Sequence, residues 1–359
     1  MKIGIDCQSI AGNISGLGQY TRKLIEWLPQ VDSQNEYHYF HCWDHFGAKT
    51  YDRLFWENLV LPAKAFSQKI DILHVPAFAS PLIKQVACRT VVTIHDLIGV
   101  VFPKHLSLPS RVYWSKWLPF VNGSADLIIA DSECTKKDII HYMKIDPRKI
   151  RVIPLAVDEK FSVQKDKHEI KNILHRYSIP QPFIFFLGNV EPRKNLLRLI
   201  KAFTQLKRER KIELHLVIGG SRSWHYPELA ELCKHSGIME HIKFVDYISE
   251  NDLIGLYQAS NLFVLPSLYE GFGLPILEAM ACGVPVITSN LSSMPEVGGN
   301  AVYYINPYSE EEIANAIYYV LSNQEVWQEL RQRGFEQVRR FSWRRTAEET
   351  RQVFEELHT

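Results

Sequence analysis

Two glutamates, Glu270 and Glu278, bracket the apolar run Gly271-Phe272-Gly273-Leu274-Pro275-Ile276-Leu277. Acidic side chains are costly to bury without partners, so their place beside such a run asks for a reason. Hydroxyl-rich ligands supply one, because an ionised carboxylate accepts hydrogen bonds from O–H donors. Pro275 suits the opening of a helix, where its missing N–H costs nothing. A helix N-terminus flanked by glycines admits a phosphate closely and attracts it. A ribose diol on one side of a pyrophosphate and a sugar on the other would satisfy both acids, with Glu278 taking the ribose and Glu270 the sugar. The plainer alternative makes Glu270 an exposed loop residue and Glu278 a favourable charge in a first helical turn.

A second group lies in GNVEPRKN, residues 188–195. Arg193 and Lys194 stand together at the start of a helical pattern, where two cations oppose the dipole. An anionic ligand would relieve this, since Arg grips phosphate bidentately and Lys adds a point charge. The alternative is a solvated basic face continuing through Arg198 and Lys201. After the first strand-like run come Gly16-Leu17-Gly18, which lack the third glycine of a dinucleotide fingerprint because Thr21 stands there. They are expected to form a loop before a helix. His95 and Asp96 end another apolar run. His95 would bond a ligand hydroxyl, act as acid or base, or be structural.

These residues need a scaffold that gathers loop ends. Strand-like runs fall at 2–6, 72–75, 90–94, 127–130 and 151–153, then at 183–187, 214–218, 243–245, 262–265, 286–288 and 302–305. Helical patterns alternate with them at 19–28, 135–143, 196–207 and 311–321. Repeated alternation predicts an α/β protein of two doubly wound domains with parallel sheets, ligands lying in a cleft outside the carboxyl ends of the strands. A polar stretch and Ile179-Pro180-Gln181-Pro182 put the seam near 155–180. The boundaries expected are 1–165 and 166–340, with a final helix over 341–359 that packs back.

The bulk numbers agree with a globular protein: 46% hydrophobic and 23% charged residues in a chain of 359. With 41 basic and 40 acidic residues, nothing global points to nucleic acid. The start, MKIGIDCQSI, has no secretory pattern, and no apolar run reaches the roughly 18 residues of a spanning helix. The six cysteines are scattered, which suggests reduced thiols in a cytoplasmic protein. His38, His41, Cys42 and His45 invite a metal reading, but 37–40 alternates like a strand and would separate them. RVYWSKWLPF, 111–120, mixes cations with aromatic residues; it would meet a membrane interface or bury its aromatic face on the core.

Together these segments resemble the retaining glycosyltransferases of family four, which have the GT-B fold. The run from Glu270 to Glu278 looks like that family's E-x7-E motif, and Arg193-Lys194 like its donor-phosphate pair. IHD at 94–96, ADSECTKKDI at 130–139, IPLAVDEKF at 153–161 and FSWRRTA at 341–347 also resemble its segments. The resemblance implies two Rossmann-like domains: an N-terminal acceptor-binding domain and a C-terminal one for the nucleotide-sugar donor. Glu278 would bind the ribose, Glu270 the donor sugar, and Arg193 and Lys194 the diphosphate. His95 would contact the sugar, while Gly16, Gly18, Phe272, Gly273 and Leu274 would line the nucleotide site. HDLIGVVFPKHLS, 95–107, looks most like users of GDP-mannose that build bacterial surface polysaccharides, with UDP-sugars open. The acceptor would be a glycan or a lipid-linked glycan, which brings an expectation of peripheral inner-membrane contact. No D-x-D triplet occurs, and side chains supply the cations, so no metal or other cofactor is expected. The rival functions are an epimerase or phosphorylase of similar architecture, a nicotinamide dehydrogenase, and a non-catalytic nucleotide-sugar-binding partner.

Overall fold

The computed structural model describes residues 1–10, 16–41, 50–76, 79–82, 88–163, 166–220 and 227–358. The chain divides into two compact units: Met1–Leu155 with Phe341–Thr359, and Ala156–Arg340.

The first unit is built on six strands: β1 (Lys2–Asp6), β2 (Glu36–Phe40), β3 (Ile72–Val75), β4 (Arg89–Ile94), β5 (Leu127–Ala130) and β6 (Ile150–Val152). They lie in the order β2-β1-β3-β4-β5-β6, and every pairing is parallel. Strands covered on both faces need continuous apolar runs, and β3 and β5 are buried at every position. The strand β2 stood outside the main series of apolar runs but bears out the strand-like alternation read at 37–40. It is an edge strand, buried only at Phe40, and pairs Gly4 with His38. Of the candidate metal residues, Cys42 and His45 lie outside the described residues.

The helix expected to follow Gly16-Leu17-Gly18 instead begins with them and runs Gly16–Val31. Both glycines therefore sit in a first helical turn. Another helical stretch runs through Leu108–Val112, Tyr113–Trp117 and Leu118–Gly123. Tyr113, Trp114 and Trp117 pack against the core, and the Trp114 indole lies where a Cβ on Gly99 would stand. Leu108, Val112 and Phe120 point outward. The final helix, Trp343–His358, belongs to this unit: Thr346 Oγ1 donates to the Pro154 carbonyl at 2.8 Å, and Phe354 packs on His74.

The second unit repeats the architecture with β7 (Phe183–Leu187), β8 (His215–Gly219), β9 (Ile242–Val245), β10 (Leu262–Leu265), β11 (Val286–Ser289) and β12 (Tyr303–Ile305). Their order is β12-β11-β10-β7-β8-β9, again all parallel. The order reverses between β7 and β10, and the crevice at such a reversal is where open parallel sheets hold ligands. The boundary falls at 155 rather than the expected 165. The reason is packing: Phe161 lies against Tyr257, Ser162 O accepts from Gln258, and Lys160 pairs with Glu250. All of these partners belong to the second unit.

Candidate functional site

In the second unit the chain leaves β7 through a turn, Pro192–Lys194, and leaves β10 through the loop to Gly273. Because β7 and β10 are neighbours, these two exits run together. The Leu268 N–H donates to the Arg193 carbonyl at 2.7 Å. Asn195, held at φ 60°, sends its amide to the carbonyls of Pro266 and Pro307 at 3.0 and 2.6 Å.

The seam gathers Glu270, Arg193 and Lys194. Lys194 Nζ lies 2.6 Å from Glu270 Oε1, and Arg193 Nη1 lies 2.7 Å from Oε2. Ser267 Oγ adds a 2.7 Å bond to Oε1, and Glu191 takes Arg193 Nε at 2.9 Å. Glu270 is thus a buried residue, not an exposed loop acid. The two cations do not stand unpaired against the dipole, for their counter-charges come from Glu270 and Glu191. Burial alone would raise the Glu270 carboxyl, but Lys194 and Arg193 outweigh it and hold it at about 2. Burial draws the Lys194 ammonium below its usual value, with Glu270 opposing.

Two serines missed by sequence reasoning hold the loop's backbone. Ser292 Oγ donates to the Glu270 carbonyl at 2.6 Å, while Ser293 Oγ lies 2.8 Å from that carbonyl and 2.7 Å from that of Phe272. Nothing in their local sequence points to a loop twenty residues upstream. Phe272 is buried. Gly273, at φ 110°, turns the chain into the helix Leu274–Ala281, a conformation that favours glycine. The N–H groups of Gly273 and Leu274 meet no acceptor among the described residues, as the start of a helix leaves them.

Glu278 stands on this helix, half-buried, and its Oε2 accepts a 2.9 Å bond from the Tyr257 hydroxyl. Burial pushes its carboxyl up to about 7; the Tyr257 bond opposes this and the nearby Glu250 adds to it. Glu278 is therefore a hydrogen-bonding group whose charge varies around neutral pH, not a plain dipole charge.

His95, Gly16 and Gly18 lie in the first unit. His95 follows β4 and is buried. Its Nδ1 lies 2.7 Å from Asp131 Oδ2, and its Nε2 lies 3.2 Å from the Pro76 carbonyl. Tyr20, on the helix that Gly16 and Gly18 open, packs on the imidazole with ring centroids 4.8 Å apart. Asp131 was not singled out from the sequence, although it sits in the segment ADSECTKKDI.

Two family profiles match the chain: Glycosyltransferase Family 4 over residues 16–161 and Glycosyl transferases group 1 over 169–337. The O-antigen chain mannosyltransferase B of Escherichia coli is 33% identical over 281 residues, covering 78% of this chain and 72% of that protein. A serotype-specific mannosyltransferase, WbdA, also of Escherichia coli, is 33% identical over 265 residues. That match covers 72% of this chain but only 32% of the longer WbdA. Among solved structures, sucrose-phosphate synthase from Thermosynechococcus elongatus superposes with a TM-score of 0.77 at 21% identity, covering 100% of this chain and 99% of that one.

Proposed function

The chain belongs to glycosyltransferase family 4 and has its GT-B fold, and from this premise we propose that it moves mannose from GDP-mannose onto a glycan or lipid-linked acceptor in surface-polysaccharide synthesis, with retention at the sugar. The names of its mannosyltransferase relatives support the sugar and the setting. The donor diphosphate is read onto the exits of β7 and β10, and the observation that carries this is Glu270 bridged to both Arg193 and Lys194 there.

Cleaving the sugar–phosphate bond leaves an oxocarbenium-like sugar and a diphosphate carrying the electron pair. Arg193, Lys194 and the N–H groups of Gly273 and Leu274 favour that developing charge. Glu270 fixes both cations in place beforehand, so little reorganisation is needed when the bond breaks, and it also offers acceptor oxygens to sugar hydroxyls. Glu278 takes the ribose. Gly16, Gly18 and His95, which belong to the first unit, keep in this reading the ligand roles that the family resemblance implies for them. In this reading the side chains provide the positive charge and no metal is required.

The protein is read as cytoplasmic, with peripheral contact at the inner membrane. The tryptophans of RVYWSKWLPF are turned to the core, so that contact falls to exposed Leu108, Val112 and Phe120, flanked by Lys104, Arg111 and Lys116.

Calorimetry with GDP, UDP and ADP, with and without chelator, on the natural protein and on Glu278→Ala tests the donor assignment. Chelator-insensitive GDP binding that the substitution abolishes is expected. A preference for UDP would keep the family and overturn mannose, and no nucleotide binding by folded protein would overturn the donor site.

A further inference from the structure

Glu278 has charged neighbours on the side away from the diphosphate corner. The Tyr257 hydroxyl that bonds it comes from the helix Glu250–Ala259. Glu250 opens that helix seven residues earlier, nearly two full turns away and on the same side as Tyr257. There it pairs with Lys160. Lys160 is held at this place by its own segment. Asp158 Oδ2 lies 3.4 Å from its Nζ, and the ammonium stands over the Phe161 ring, 5.8 Å from the centroid. Phe161 in turn packs on Tyr257, with ring centroids 6.2 Å apart. The charges of Glu250 and Lys160 both act on Glu278, as does that of Lys194.

We propose that the Lys160–Glu250 pair reads the base of the donor and selects guanine, with Lys160 donating to O6 and Glu250 accepting from N1–H and the 2-amino group. This rests on the donor reading above, in which Glu278 holds the ribose.

The direction follows from the shape of a nucleotide. Base and diphosphate leave the ribose at opposite ends of its diol edge. With the diphosphate at Arg193 and Lys194 and the diol on Glu278, the base continues past Glu278, and the next charged groups there are Glu250 and Lys160. Their side chains are 47% and 26% exposed, so a ligand can reach both. The other acid in the helix's first turn is already engaged. Arg176 Nη1 donates to both Asp252 oxygens at 2.8 and 2.7 Å, and the Tyr177 hydroxyl adds a bond of 2.8 Å. Those bonds fix the first turn and with it the place of Glu250.

The selection follows from donors and acceptors. Along its pairing edge guanine shows the acceptor O6 beside two donors, N1–H and the 2-amino group. An ammonium beside a carboxylate complements that order. Adenine shows a donor at N6 and an acceptor at N1, so the carboxylate would face a lone pair. Uracil has a single N–H between two carbonyls, and its one ring keeps that edge nearer the ribose.

Calorimetry with GDP, inosine diphosphate and UDP tests the assignment. Inosine diphosphate keeps O6 and N1–H but lacks the 2-amino group. The natural protein should bind GDP about tenfold more tightly than inosine diphosphate, and UDP more weakly than either. Glu250→Gln should bring the ratio of GDP to inosine diphosphate affinity to within about twofold of one. Lys160→Met should weaken GDP and inosine diphosphate alike by about tenfold and leave UDP within about twofold. The pair is partly exposed, so neither substitution threatens the fold. A loss shared equally by all three nucleotides would mark a structural role, and a GDP preference unchanged in both variants would mark no role; either result overturns the proposal and leaves GDP as the donor nucleotide. A natural protein that prefers UDP, or that binds no nucleotide, would overturn the GDP reading and this proposal with it.

Discussion

Lys194 Nζ sits 2.6 Å from Glu270 Oε1, an ion pair between two buried residues carried on the exits of neighbouring strands. Breaking one side of such a pair strands the other charge away from water, which costs about 3 kcal/mol or more. Glu270→Ala should therefore lower stability by about that amount in urea unfolding at neutral pH. The Glu270 carboxyl is held well below its free value of 4.5, so its contribution is present above that pH and is lost as pH falls through about 2. Nucleotide binding should respond in the opposite sense. With Glu270 gone, Arg193 and Lys194 are freed for the diphosphate, and calorimetry should find GDP bound at least as tightly while sugar transfer falls. Loss of GDP affinity in a folded Glu270→Ala protein would mean that the glutamate holds the nucleotide itself.

Glu278 titrates at about 7, so its power as a hydrogen-bond acceptor changes around neutral pH. GDP affinity should weaken as pH falls from 8 to 6, approaching about tenfold per unit below the midpoint. Stability of the nucleotide-free protein runs the other way, because the raised value makes the Glu278 contribution largest below 4.5 and lost as pH rises through about 7. Tyr257→Phe removes the bond that favours the carboxylate and should move the affinity profile to higher pH. An affinity that does not change between pH 6 and 8 would separate Glu278 from the ribose.

Both sheets were legible because parallel strands covered on two faces are short apolar runs, as in Phe183–Leu187 and Leu262–Leu265. Strand β2 was legible only as the alternation of 37–40 and not as an apolar run, because an edge strand need bury only one of its five residues. Glu270, Arg193 and Lys194 could be singled out from their types and spacing, and the structure brings these three together. Their wiring was not legible. Arg193 and Glu270 are 77 residues apart and meet only because β7 and β10 are adjacent, which local pattern does not disclose. The same holds for Ser293 beneath the loop and for Asp131, whose bond to His95 depends on β4 lying beside β5. The segment after 155 was assigned to the first domain because the contacts of Lys160, Phe161 and Ser162 with the second unit are long-range and leave no local pattern.

Ser293 supports the loop through two carbonyls, those of Glu270 and Phe272, and is itself fully buried. Ser293→Ala removes the one hydroxyl proton these carbonyls share; the Glu270 carbonyl keeps Ser292 Oγ, so the loss falls mainly on Phe272 and should cost about 1–3 kcal/mol. It should also raise KM for the donor, since the loop carries Gly273 and Glu270. Ser292 offers a contrast. Its φ of 55° suits glycine, so Ser292→Gly relieves the backbone while losing the hydroxyl, and its net effect on stability should be under about 1 kcal/mol. Thermal unfolding of both variants checks the ranking, and a larger loss in Ser292→Gly would reverse the roles given to the two hydroxyls.

Trp114 and Phe120 lie six residues apart on one helical stretch and face opposite environments. Trp114 fills the space above Gly99 and packs against the core of the first unit, whereas Phe120 is 67% exposed. Trp114→Ala should cost about 3 kcal/mol, reduced from the fully buried case only insofar as the ring is partly solvated. Phe120→Glu should cost no more than about 1 kcal/mol of thermal stability, since the ring is mostly exposed and loses chiefly its contact with Trp117, 6.4 Å between centroids. On vesicles containing anionic lipid the order reverses. Phe120→Glu replaces an exposed apolar ring by a negative charge in the stretch that also exposes Leu108, Val112, Arg111 and Lys116, and it should abolish co-sedimentation. Trp114→Ala, where it folds, should still bind. Vesicle binding that survives Phe120→Glu, or a natural protein that ignores vesicles with or without anionic lipid, would remove the membrane from the function of this face and leave its exposed apolar residues to a protein or glycan contact.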